Sequence, residues 1–197
     1  MNLYKVSGII ILVGAVGFIL AMNVAEFLFP GYSVSNNYIS DLGAMCRAGS
    51  CTIVQPSSII FNTSMVILGI LIIAASMLLL KSKAFKLFPI FFAISGIGAV
   101  MVGIFPEYTG SLHSISALIV FLFGGLAAIS SYKLQRTPMN VISILLGITT
   151  LVALALYIEG KYLGLGPGGM ERIIVYPALL WGIIIGSYIA GRSDGPN

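Results

Sequence analysis

The chain has 197 residues, of which 58% are hydrophobic and 8% charged, and its mean hydropathy is +1.07. Soluble domains carry roughly 25% charged residues, so a water-soluble globular domain is excluded and the bilayer is the expected solvent. The formal charge of +4 forms no basic stripe, which argues against nucleic acid as a partner.

Six apolar runs occupy 6–29, 57–80, 87–105, 113–132, 141–158 and 173–191. Each is near the ~20 residues that cross a ~30 Å hydrocarbon core as a helix. They predict an all-α, multi-pass protein of the cell membrane: one bundle of six transmembrane helices, in a single domain over 1–197, since the connections are too short for a second domain. With the amino end inside, Lys5, Lys81, Lys83, Lys86, Lys133, Arg136 and Arg192 face the cytoplasm, against Arg47, Lys161 and Arg172 outside. That bias predicts that both termini are cytoplasmic. A basic inner rim suits anionic headgroups, so membrane lipids are the expected partners, with other membrane subunits or further copies of the chain as candidates.

The first run carries Asn23 and Glu26, three apart and so on one face, and no small-residue cleavage pattern. It reads as a retained helix. Glu26 has two open readings, facing protein or water within the bundle, or snorkelling to the outer interface. The exit Phe29-Pro30-Gly31-Tyr32-Ser33 is echoed by Phe105-Pro106-Glu107-Tyr108-Thr109 after the third run, which suggests a duplicated hairpin or simply two interfacial anchors.

Between the first and second runs lies Asn36-Asn37-Tyr38-Ile39-Ser40-Asp41-Leu42-Gly43, polar yet too apolar for a freely solvated linker. It is expected to fold back onto the bundle mouth. Ser40 and Asp41 have two open roles, in chemistry or in capping a short helical turn that Gly43 ends. Cys46 and Cys51 follow, on the outer side where disulfides persist, and a bridge between them is expected. A zinc site is improbable with two sulfurs and a single histidine in the chain.

The second helix begins after Pro56 with Ser57 or Ser58 as its cap, and places Asn62 where its amide can support the 37–43 turn from below. Small residues in the second and third helices, among them Gly69, Gly96 and Gly98, predict close helix contact. His113 opens the fourth helix, where the positive end of the dipole keeps the ring neutral. Gly164 to Gly169 read as a flexible loop directly before Glu171 and Arg172. That loop is not a P-loop, because the Gly-Lys-Ser/Thr ending is absent. Arg172 is free to pair with Asp41 or to grip an anion.

Taken together, Asn37-x-Ile39-Ser40-Asp41-Leu42-Gly43, Phe61-Asn62, Gly103-x-Phe105-Pro106 with His113, and Gly169-x-Glu171-Arg172 resemble the signature of a prokaryotic membrane family, domain of unknown function 998. The resemblance covers nearly the whole chain. It implies a six-helix fold and a shared outer-facing polar cluster, without an activity. The Ser40, Asp41 and His113 inventory is also distantly similar to that of ceramidase-like membrane hydrolases, which present a Ser, an Asp and three His to a zinc-bound water. Two of those histidines have no counterpart here.

Three functions fit these residues. The first is a structural or accessory subunit of a membrane complex, with Glu26, Asn37, Asn62, Glu171 and Arg172 as an outer clamp or binding cluster. The second is an intramembrane hydrolase acting on a lipid or other amphiphile at the outer leaflet, with Ser40, Asp41 and His113 as the candidate catalytic residues. The third is a protein that binds or transports a small solute or ion, against which stands the scarcity of polar residues deeper in the helices. No metal or other cofactor is expected, and haem is disfavoured by the single histidine. On all three readings Asp41, Asn62, His113, Glu171 and Arg172 are expected to converge on one outer chamber, because unpaired polar groups facing hydrocarbon cost several kcal/mol each.

Overall fold

The computed structural model describes residues 2–81 and 86–192. Lys83, counted above among the inner cations, lies outside them. The apolar runs form α1 (Leu3–Phe27), α2 (Ser57–Lys81), α3 (Leu87–Ile104), α4 (Ser111–Ser130), α5 (Met139–Ile158) and α6 (Gly166–Ala190). A small antiparallel hairpin, β1 (Met45–Arg47) and β2 (Ser50–Thr52), interrupts the long connection between α1 and α2. All six helices are long and apolar enough to cross a membrane. Their outward faces carry residues such as Ile9, Leu20, Ile67, Leu145 and Val152, exposed as lipid-facing side chains must be.

Each helix packs beside its neighbours in sequence, and α6 returns to α1, so the bundle closes into a ring. The two ends of the described chain meet: Gly8 lies against Ala190. In a bilayer no hydrophobic force drives helices together, so their association rests on close contact and interhelical hydrogen bonds. Glycine supplies that closeness at two seams. A Cβ at Gly186 would come within 3.0 Å of the Gly8 carbonyl between α6 and α1, and one at Gly96 within 3.0 Å of the Gly69 carbonyl between α3 and α2.

Two local expectations need correction. Ser57 and Ser58 do not cap α2: their hydroxyls donate to the carbonyls of Leu42 (3.3 Å) and Gly43 (2.6 Å), tying the preceding loop down. Gln55 takes the capping role, its Oε1 accepting from the Ile59 amide at 3.4 Å. α6 begins at Gly166 and not near 173, because Pro167 fits a first helical turn, where its missing N–H is no loss. Glu171 and Arg172 therefore project from a helix and not from a loop. The two Phe-Pro exits are also inequivalent, since Tyr108 is exposed whereas Tyr32 is drawn into the interior hydrogen bonding.

The glycine seams lead to a direct expectation. Gly186→Leu and Gly69→Leu should each cost about 1–3 kcal/mol or more by overpacking, read as a lower midpoint of thermal unfolding in detergent, whereas Ile67→Leu on the lipid face of α2 should change little. Equal midpoints for all three variants would show that the seams are not tight.

Candidate functional site

The end of the bundle that carries the disulfide is covered by residues 28–56. Cys46 and Cys51 are bonded and sit opposite each other across the hairpin. Ile39 to Leu42 turn tightly over the mouth of the ring, with Ile39 and Leu42 buried. This is the predicted fold-back, and it acts as a lid. Asn62 supports it from α2 as expected, its Nδ2 donating to the Gly43 carbonyl (3.4 Å) and to Ser58 Oγ (3.3 Å).

Two ion clusters hold the lid. In the first, Asp41 is buried, and its Oδ2 accepts from Asn37 Nδ2 (2.8 Å) and the Tyr38 amide (3.0 Å). Arg47 grips both oxygens of the same carboxylate at 3.0 and 2.7 Å, while its guanidinium lies 4.7 Å from the centre of the Tyr38 ring. Its other nitrogen stands 3.6 Å from Glu107, which also accepts from Ser40 Oγ (2.7 Å) and the Cys46 amide (3.1 Å). Burial raises the Glu107 carboxyl above its ordinary range, against the opposing hydrogen bond from Ser40.

The second cluster centres on Arg172, almost wholly buried on α6. One terminal nitrogen donates to the carbonyls of Val34 (2.9 Å), Asn37 (3.4 Å) and Gly168 (3.0 Å). The other donates to Glu26 Oε1 on α1 and to Tyr32 Oη (2.8 Å). Tyr32 in turn donates to the Tyr38 carbonyl at 2.8 Å, and burial raises its phenol above the ordinary range, so it stays protonated. Glu26 thus pairs inside the bundle and does not snorkel. Gly168 is required here because a Cβ would run into the Asn37 carbonyl, and its amide donates to the Ser35 carbonyl at 2.9 Å.

Beneath the lid the ring encloses a cavity of about 110 Å³. Helices α1, α2, α3, α4 and α6 line it; among the described residues α5 contributes none. Its walls are apolar, including Phe18, Met65, Leu68, Phe121 and Leu179, and its floor is formed by Phe92 and Trp181, whose rings meet edge to face at 5.2 Å. From Glu171 to Trp181 the lining follows α6 for roughly 15 Å at 1.5 Å per residue. An engineered apolar cavity of ~150 Å³ stays dry and takes up benzene, so a somewhat smaller void with this lining has room for a small apolar group.

Polar side chains enter that space chiefly at the lid. Ser40, His113 and Glu171 line it there, and Ser95, lower on α3, spends its hydroxyl on the Val120 carbonyl at 2.9 Å. His113 Nδ1 lies 2.8 Å from the Phe105 carbonyl, which can only accept, so Nδ1 carries the proton and Nε2 is a free acceptor among the described residues. Glu171 is buried, with Oε2 accepting from the Ile39 amide and Oε1 bonded to nothing among the described residues.

The five residues expected to converge, Asp41, Asn62, His113, Glu171 and Arg172, all lie at this end of the bundle, where they divide between a lid held by two clamps and the cavity beneath it. Asp41 pairs with Arg47 and not with Arg172, and it orients no histidine. Ser40 bonds Glu107 and not His113, so the three candidate catalytic residues do not form a relay. Arg47, Glu107 and Tyr32 are the members that sequence spacing does not single out. The disulfide was the available signal for Arg47, since a bridge from 46 to 51 forces the residues between into a tight hairpin beside the loop. Among the described residues no group of three His, Cys, Asp or Glu side chains is placed to hold a metal ion.

The family model described as Protein of unknown function (DUF998) matches residues 12–188. The chain belongs to this family. No curated protein and no solved structure is significantly similar to it. In this DUF998 member the polar residues quoted for the signature divide between lid, clamp and cavity, with Asn37, Asp41 and Arg172 holding the lid and Ser40, His113 and Glu171 facing the void.

The clamp makes a sharp prediction. Arg172→Met leaves Glu26 and several carbonyls buried without a donor and should cost about 3–5 kcal/mol of stability. Arg172→Lys should rescue only part of this, because an ammonium cannot reach both rows of acceptors from one fork. Thermal unfolding in detergent measures both; a fully stable Arg172→Lys protein would show that the fork geometry is unimportant.

Proposed function

We propose that this protein is a membrane binding chamber for a single-chain amphiphile, with the alkyl chain held in the ring and the head beneath the lid. One observation carries the reading: an apolar cavity runs down the axis of the bundle and meets Ser40, His113 and Glu171 at its lidded end. An amphiphile has that polarity profile, whereas a small polar solute would find apolar walls below the first turn. The clamp charges close on one another within the chain, which favours a self-contained chamber over a docking face for another subunit. Ser40 and His113 share no hydrogen bond, so no nucleophile–base pair is formed, and binding is favoured over hydrolysis.

Trp181, the one tryptophan in the chain, is 1% exposed and lies on the cavity floor. It is a built-in reporter. A single-chain amphiphile brominated near its terminal methyl should quench its fluorescence saturably in protein reconstituted in nanodiscs. Ala178→Leu, which fills the lining of α6, should abolish the saturable part without unfolding the protein. Equal quenching in both proteins would mean that the bromine reaches Trp181 from the bilayer, and the chamber reading would fall.

We further infer that the lidded end faces outside and both termini face the cytoplasm. The distribution of Lys and Arg supports this, as does a disulfide in the lid, a bond that persists in oxidising compartments. Both native cysteines are bonded, so Ser111→Cys or Thr137→Cys places a single free thiol at one end or the other. An impermeant maleimide should label Ser111→Cys on intact cells and Thr137→Cys only after permeabilisation; the reverse pattern would invert the protein in the membrane.

A further inference from the structure

The amphiphile reading leaves the chemistry of the head open, and the charges around the lid narrow it. Four carboxylates gather there, those of Glu26, Asp41, Glu107 and Glu171, against the two guanidiniums of Arg47 and Arg172. Neither guanidinium lines the cavity. Arg172 is turned into Glu26, Tyr32 and backbone carbonyls, and Arg47 into Asp41 and the Cys46 carbonyl.

The groups that do face the cavity offer lone pairs. Among the described residues Glu171 Oε1 is unpartnered on a buried side chain, His113 Nε2 is open because Nδ1 holds the proton, and Ser40 donates its O–H to Glu107 and keeps acceptor capacity on Oγ. These three are drawn together by the lid. The Ile39 amide bonds Glu171, the next residue Ser40 bonds Glu107, and His113 bonds Phe105, two residues before Glu107. A carboxylate or phosphate head would meet this end without a cationic donor and beside uncompensated carboxylates, at a cost that burial magnifies.

We propose that the chamber takes a protonated primary alkylamine, whose ammonium donates to Glu171 Oε1, His113 Nε2 and Ser40 Oγ and whose alkyl chain points toward Trp181. The three N–H donors of an ammonium match three acceptors. A void of about 110 Å³, smaller than the ~150 Å³ cavity that takes up benzene, limits the alkyl part to a short chain of roughly six carbons at most. This assignment rests on the amphiphile reading.

The test compares terminally brominated hexylamine, hexanol and hexanoic acid at neutral pH, by saturable quenching of Trp181 in nanodiscs of uncharged lipid. Quenching of the filled Ala178→Leu protein is subtracted, to remove amphiphile dissolved in the bilayer. The amine should bind at least about tenfold more tightly than either of the others, the size of one charge-assisted hydrogen bond. Glu171→Gln should erase that preference. Acid or alcohol binding as tight as the amine, or a preference that survives Glu171→Gln, would overturn the assignment of the head while leaving the chamber in place. The comparison of heads on the unaltered protein stands even if Glu171→Gln fails to fold. No saturable quenching by any of the three would overturn the chamber itself.

Discussion

The structure depends on one buried guanidinium. Arg172 joins α6 to α1 through Glu26, to the first loop through Tyr32, Val34 and Asn37, and to its own helix through Gly168. A charge in that position is tolerable only because nearly every donor is matched; Nε alone is buried without a partner. Neither α1 nor α6 could be moved independently without stranding a charge. The lid inherits its position from this pairing, since the carbonyls that Arg172 grips belong to the segment leading into Ile39 and Ser40.

The fixed lid divides the polar residues into two populations. Asp41, Arg47, Glu26 and Arg172 satisfy one another and maintain geometry, and their charge is largely spent. Ser40, His113 and Glu171 are held by single hydrogen bonds and face the cavity with capacity left over. Glu107 stands between, accepting a hydrogen bond from Ser40 on one side and lying near Arg47 on the other. A perturbation beneath the lid would therefore reach the Arg47 clamp through Ser40 and Glu107.

Much of the fold was legible in the sequence because a bilayer imposes length and polarity on every span. The six helices, the fold-back of 37–43, the 46–51 bridge and the support from Asn62 all follow from local chemistry. The start of α6 did not, because Gly-Pro-Gly-Gly reads as loop unless Pro167 is recognised as a first-turn residue and Gly168 as a docking point for the Asn37 carbonyl. The partner of Asp41 was equally hidden: Arg172 and Arg47 are both outer cations in sequence, and only the hairpin decides between them. A cavity leaves no signature in hydropathy. Phe18, Met65 and Leu179 look the same whether they face a neighbour or a void.

That void is informative because it persists. On the scale of roughly 24 cal/mol per Å³ measured in a soluble protein, about 110 Å³ costs about 2–3 kcal/mol, a large share of ordinary stability. In water such a ring would be pressed to collapse. Lipid outside is as apolar as the walls within, so the pressure is weaker, and the helix spacing is set by the glycine seams and by the clamp. The seams draw neighbours together around the circumference while the lid spans the mouth and keeps α1 and α6 at the separation Arg172 dictates. A bundle braced at its edge and its end can keep an open axis, and filling that axis with an alkyl chain restores the missing dispersion contacts without moving a helix. On the binding reading proposed above, apolar walls would accept any chain that fits, and discrimination would be left to the few acceptors beneath the lid.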